Sequence, residues 1–367
     1  MVLLLVIAVV ASACGRPDDG AEASNSRGTA AGRPTIAFLL PETKTARYET
    51  QDRPHFEAEV RRLCPECHLL YSNANQEVST QSSQVDAALA NGADVLVLDP
   101  VDSRAAAAMV RKGRASGAAV VSYDRLILDT PVDHYVSFDN VKVGELQART
   151  LIGRLREQGR AAGTVVLIHG SPTDNNAGLY KRGARQALER SALVLGAEYD
   201  TPDWSPDKAQ RQMEQAITKL GAGAIAGVYA ANDGTAGGAI AAMKAAGFTH
   251  LPPVTGQDAE LEAVQRILSG EQYMTVYKAI AREAAAAATL AVALARRLPP
   301  PAGLVNGEVP NGAGRVPSVL LEPVAVTVAN LAATVLADGF WTPAQVCTER
   351  LADACRAAGI VVPVAGH

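Results

Sequence analysis

Short polar clusters at the ends of apolar runs carry the chemistry of this chain. Ala119–Ser122 runs into Tyr123-Asp124-Arg125, and Val165–His169 leads to Gly170-Ser171-Pro172-Thr173-Asp174-Asn175-Asn176. Gly227–Ala231 ends in Asn232-Asp233-Gly234-Thr235, Pro253–Gly256 in Gln257-Asp258, and Tyr273–Val276 in Tyr277-Lys278. Asp accepts hydrogen bonds, Arg and Lys donate them, and Asn does both, so the set suits hydroxyl groups. The C–H faces of a polyhydroxylated ring prefer an aromatic platform. Only 4% of the chain is aromatic, which singles out Trp204 in Pro202-Asp203-Trp204-Ser205-Pro206 and Tyr48 beside Arg47. The clusters contain no nucleophile–base pair, so they predict binding without a reaction and no catalytic residue.

Other chemistries are absent from the sequence. Gly221-Ala222-Gly223-Ala224-Ile225-Ala226-Gly227 has the glycines of a dinucleotide motif. Such a motif follows a strand and opens a helix, whereas these glycines follow a predicted helix and precede a strand. No phosphate-binding loop, nucleophile-elbow serine or zinc-protease motif occurs, and the six histidines share no ligand spacing. No metal and no cofactor is expected. Asp139 and Asp233 each adjoin an Asn before a helix, where capping competes with ligand contact.

The elements that must hold these clusters alternate. Strands are predicted at 35–40, 69–71, 95–98, 119–123, 135–138, 164–169, 194–199, 226–231 and 253–256. Helices are predicted at 52–63, 77–90, 103–116, 140–157 (capped by Asn140), 175–190, 207–220, 235–246 and 259–268. This rhythm is that of α/β sheets, parallel and covered by helices on both faces. Ligands of such sheets bind outside the carboxyl ends of the strands, where every cluster lies. An Ala-rich helix at 282–298 precedes a Pro- and Gly-rich loop at 299–317, late strands at 319–321 and 324–328, and a helix at 330–338.

The chain has 367 residues, 48% hydrophobic, which accommodates two domains. Its net charge of −4 without a basic block excludes nucleic acid as a partner. Met1–Ala13 is apolar but too short to span a bilayer. With Ala11-Ser12-Ala13-Cys14 it reads as a lipoprotein signal over 1–14, cut before a lipidated Cys14. Residues 15–32 read as a flexible tether of roughly 20–25 Å root-mean-square reach. The expected location is outside the cytoplasmic membrane or in the periplasm, with lipid the only membrane contact. In an exported protein, Cys64/Cys67 and Cys347/Cys355 are expected as local disulfides, Cys64–Cys67 and Cys347–Cys355. The rival for Cys64, Cys67 and His68 is a zinc or redox centre.

These motifs have a known counterpart. From about Thr35 to Phe340 the chain resembles the xylose-binding proteins of ABC sugar transporters, within the type I periplasmic binding protein fold. The resembling segments are Ala90–Pro100, Tyr123–Arg125, Val136–Asn140, Lys142–Gln147, Gly170–Ala177, Asn232–Ile240, Gly256–Ala259 and Met274–Lys278. The resemblance implies two doubly wound parallel-sheet lobes joined by a three-strand hinge. One lobe would comprise 33–139 and 279–314, the other 140–278 and 315–346, with 347–367 a C-terminal extension. It implies a sugar held among Arg47, Asp124, Arg125, Asn176, Asn232, Asp258 and Lys278, sandwiched between Trp204 and Tyr48. Position 48 carries Tyr where the family usually has Trp, which implies a looser sandwich and a wider range of sugars. The implied protein is a monomer that captures an aldose, most simply D-xylose, and delivers it to a membrane permease. Arg47, Arg125 and Lys278 against Asp124 and Asp258 leave one net positive charge, which admits a sugar acid. The alternatives are a sensor presenting sugar to a signalling receptor and a sugar-modifying enzyme.

Overall fold

The computed structural model describes residues 33–362. Cys14 and the tether lie outside them. The chain begins β1 (Thr35–Leu40), α1 (Arg53–Leu63), β2 (His68–Asn73), α2 (Val78–Ala90), β3 (Val95–Leu98), α3 (Ala106–Ala115), β4 (Ala119–Tyr123), β5 (His134–Phe138). A second series follows: α4 (Asn140–Glu157), β6 (Thr164–His169), α5 (Asn175–Leu188), β7 (Val194–Asp200), α6 (Pro206–Leu220), β8 (Ile225–Ala230), α7 (Asp233–Ala245), α8 (Leu261–Leu268), β9 (Thr275–Tyr277). Then come α9 (Ile280–Ala295), β10 (Gly307–Pro310), β11 (Arg315–Leu321), β12 (Val324–Val326), α10 (Pro343–Val346) and α11 (Ala352–Ala357).

The first sheet has the order β10-β11-β5-β4-β3-β1-β2, parallel except for β10. Its central strands β1 and β3 are almost wholly apolar and buried on both faces, as parallel strands covered by helices must be. One face packs on α1 and α9 through Phe38, Phe56, Val60 and Ala287, the other on α2 and α3 through Leu96, Val85 and Met109. The second sheet is β7-β6-β8, extended by a single parallel bridge from Val228 to Val254. Val276 N donates to Gly256 O and Asp258 N to Val276 O, each 2.9 Å, which joins β9 and its antiparallel partner β12 to that sheet. The chain passes between the sheets three times, after β5, after β9 and after β11. Two parallel sheets linked by three crossings are the architecture that the resemblance implies.

Four expectations need correction. Residues 307–321, expected partly as loop and partly in the second lobe, form the hairpin β10–β11 in the first sheet, with β11 parallel to β5. The third crossing is therefore at 322–323 and not at 315. The signal was hidden because β10 is a half-exposed edge strand with Pro310 at its end, where a missing N–H is tolerated. Segment 253–256 makes one bridge and not a full strand. The helix expected at 330–338 is a single wide turn at Ala332–Leu336. Helix α4 is capped by Asp139, which accepts from Lys142 N at 3.0 Å, and not by Asn140.

Both cysteine pairs are at bonding distance, Cys64 with Cys67 and Cys347 with Cys355. The C-terminal segment is no loose extension. Val346, Leu351, Cys355 and Ile360 pack with Val264 and Ile267 of α8 and with Phe138 and Ile280, which flank two of the crossings.

Candidate ligand-binding site

The loops after β1 and β4 face those after β6, β7, β8 and β9 across one narrow cavity. Arg47, Tyr48, Asp124 and Arg125 line it from the first sheet, and Trp204, Asn232, Asp258 and Lys278 from the second. All are buried. Asn176, expected to touch ligand, stands behind the wall. Its Nδ2 donates to the carbonyl of Asp124 at 2.9 Å, and its Oδ1 accepts from Asn140 Nδ2 at 2.9 Å. It holds Asp124 in place across the gap between the sheets.

Local chemistry aims each group. Asn232 caps α7, accepting from Thr235 N on Oδ1 at 2.9 Å, which leaves Nδ2 to the cavity. Asp233, the rival cap, turns inward instead. It accepts from Gln272 Nε2 (2.7 Å), Thr275 Oγ1 (2.9 Å) and Glu260 N (3.0 Å). Burial pushes its carboxyl up to about 7. Asp124, Trp204 and Asp258 all have positive φ, at 50°, 53° and 93°. Non-glycine residues hold that conformation at a cost of about 1–3 kcal/mol each, characteristically at binding sites. The Trp204 ring lies against Gly170, where a Cβ would come within 2.0 Å of it, and its Nε1 donates to Asp174 Oδ2 at 3.1 Å. Tyr180 packs edge-on, ring centroids 6.3 Å apart. Tyr48 donates from its hydroxyl to Asp124 Oδ2 and accepts from Arg125, both at 3.2 Å.

The three cations are surrounded by carboxyls. Arg47 pairs bidentately with Asp52 at 2.6 and 2.9 Å, reaches Glu283 at 3.1 Å, and lies 3.5 Å from Asp124 and 3.6 Å from Asp258. Arg125 contacts Asp174 at 3.1 Å, Asp99 at 3.6 Å and Glu42 at 3.9 Å. Lys278 Nζ is 2.9 Å from Asp258. Seven carboxyls thus stand within ion-pair distance of three cations. The positive balance read from five residues is reversed. Burial raises the Asp99 and Glu283 carboxyls well above the usual range. Burial also acts upward on Asp124, but Arg47, Lys278 and Arg125 outweigh it and hold that carboxylate below the usual range.

Residues 36–298 match the model of the periplasmic binding protein domain. The chain is 39% identical to the D-xylose-binding periplasmic protein of Haemophilus influenzae, over 74% of this chain and 80% of that one. It is 37% identical to the D-xylose-binding periplasmic protein of Escherichia coli, over 83% and 90%. The crystal structure of an ABC transporter solute binding protein from Clostridium phytofermentans with bound β-D-glucose superposes with a TM-score of 0.79, at 27% identity, over 85% of this chain and 99% of that one. The chain belongs to the periplasmic binding protein family.

In this binding protein four further residues line the cavity: Thr45, Asp174, Tyr180 and Gln257. Asp174 and Gln257 lay inside polar clusters the sequence displays, beside Asn176 and Asp258. Tyr180 is one helical turn beyond Asn176, a spacing that puts both on one face of α5. Thr45 carries no signal of its own. Gln257 Oε1 and Asp258 Oδ1 are buried without an aligned hydrogen-bond donor among the described residues. A wider groove of about 430 Å³ shares Asp174 with the cavity. Two of its lining residues, Arg104 and Lys181, are engaged in exposed ion pairs with Asp129 and Asp200.

Proposed function

We propose that this protein is the substrate-binding component of an ABC sugar transporter, capturing a neutral aldose, most simply D-xylose, between two lobes. One observation carries the reading. Eight of the nine residues that the family resemblance implies line one cavity, four from each side of the three crossings. The lobes are 33–139 with 279–321, and 140–278 with 322–346. Arg47, Arg125, Asn232 and Lys278 donate to sugar hydroxyls, Asp124, Asp174 and Asp258 accept, and Trp204 and Tyr48 take the ring faces. The site binds and releases its sugar unchanged, and the closed form meets the permease. Cys14 carries the lipid that tethers the body outside the cell membrane.

The carboxyl excess favours a neutral ligand over a sugar acid, since a further anion would stand among seven acids in a buried space. Titration calorimetry with D-xylose, other pentoses, glucose and glucuronate tests this. D-Xylose should bind tightly, glucuronate should not, and the sugar should be recovered intact. Preferred binding of the uronate, or an altered sugar, would overturn the reading. A wild type that sheds wholly into the medium, indistinguishable from Cys14→Ser, would remove the anchor and leave the rest.

A further inference from the structure

We propose that Trp341, which lies outside the cavity, positions Asp258 for its ligand. The inference rests on the reading that Asp258 accepts hydrogen bonds from the sugar. Asp258 and Ala259 are consecutive non-glycine residues with φ of 93° and 50°, a conformation that L residues avoid. Such a turn persists only where its surroundings over-determine it. Four hydrogen bonds do so here. Asp258 N donates to Val276 O at 2.9 Å, Ala259 N to Thr275 Oγ1 at 3.2 Å, and Glu260 N to Asp233 Oδ2 at 3.0 Å. The fourth and shortest, at 2.7 Å, runs from Trp341 Nε1 to Ala259 O.

The first two come from β9 and the third from the start of α7. The fourth comes from the far end of the chain, beyond the residues that match the family domain. The C-terminal segment is built to deliver it. Phe340 is buried edge-on against Tyr277 at 5.2 Å, and its carbonyl accepts from Gln51 Nε2 at 3.2 Å. Trp341 packs edge-on against Phe340 at 5.5 Å. The Cys347–Cys355 pair closes the following residues onto α8. The indole N–H is thus held on the peptide that follows Asp258. Without that donor the turn can relax toward ordinary φ values. The Asp258 carboxylate then leaves its place beside Lys278 and Arg47, 2.9 and 3.6 Å away.

A double-mutant cycle on the full chain tests this. Trp341→Phe keeps an aromatic ring in the cluster and removes the donor, and Asp258→Asn neutralises the group it positions. D-Xylose affinity is measured by calorimetry for the wild type, both single variants and the double variant, with melting temperatures recorded alongside. Trp341→Phe should weaken binding by about three- to tenfold, the scale of one buried hydrogen bond. In the Asp258→Asn background the same change should have less than half that effect, because the pair is coupled. Equal weakening in both backgrounds, or none in either, would overturn the inference while leaving the site intact. Unchanged affinity in Asp258→Asn alone would instead remove Asp258 from the site, and the inference with it. If Trp341→Phe melts below the assay temperature, the cycle is run with Trp341→His, whose ring keeps an N–H. Affinity close to wild type then supports the donor, and a loss as large as that of Asp258→Asn overturns it.

Discussion

At the scale of single residues, the site is a balance of burial against charge. Asp52, Asp124, Asp258 and Glu283 crowd one guanidinium, and burial raises the Glu283 carboxyl well above the usual range. Asp233, behind the Asp258 turn, is the clearest case. Folding raises its pKa from about 4 in an unfolded chain to about 7, chiefly through burial. The folded protein therefore holds that proton more tightly. Its contribution to stability is full below about pH 4 and is lost as pH rises through about 7. Asp99, Glu283 and Glu260, all raised by burial, act with the same sign. The melting temperature should accordingly fall from pH 5 to pH 8. Asp233→Asn should make that pH slope shallower, because it removes a group that titrates. Parallel slopes in thermal melts of the two proteins would contradict the assignment.

At the scale of elements, each binding group stands in the connection that follows a strand or an extended segment. The strand end fixes where the turn starts, and a cap or an unusual φ fixes where the side chain points. The β6–α5 turn shows how little slack there is. Gly170 leaves only enough room for the Trp204 ring, and its missing Cβ lets the indole sit flat on the backbone. Gly170→Ala puts a methyl where the ring now is, 2.0 Å from its nearest carbon. Overpacking of this kind costs about 1–3 kcal/mol. Sugar affinity should fall on the order of tenfold as the ring swings off the cavity. Secondary structure by circular dichroism should stay unchanged. Unaltered affinity would mean that Trp204 is not a wall of the site.

At the scale of the whole molecule, the two sheets meet through contacts that need no ligand. Ser103 N donates to Thr173 O at 3.0 Å, Asn175 N donates to Ser103 Oγ at 3.1 Å, and Arg125 reaches Asp174 at 3.1 Å. They define a closed form, and a sugar touching both sides shifts the population toward it only by its differential affinity. Small-angle scattering should show a smaller radius of gyration with D-xylose than without. Ser103→Ala, remote from the sugar, should weaken binding by about two- to tenfold by loosening that latch. Sugar binding with no compaction would mean that the free protein is already closed, and Ser103→Ala would then leave affinity unchanged.

The sequence by itself determined the α/β class, the rhythm of strands and helices, and the strand ends on which ligand groups sit. These follow from local chemistry: continuous apolar runs for buried parallel strands, and polar clusters where each run stops. Tyr123-Asp124-Arg125 and Gln257-Asp258 were legible as binding turns for that reason. Only the tertiary structure decided which of these groups share a cavity. It withdrew Asn176 behind Asp124, because Asn140 and the Asp124 carbonyl engage the two ends of its amide. It brought in Tyr180 and Thr45, and it placed Asp52, Asp99 and Glu283 around the cations, reversing the charge of the site. It also moved 315–321 into the first sheet and set Trp341 on the Asp258 turn. Apart from the Arg47–Asp52 pair, each depends on contacts between residues tens to hundreds of positions apart, which no spacing along the chain encodes.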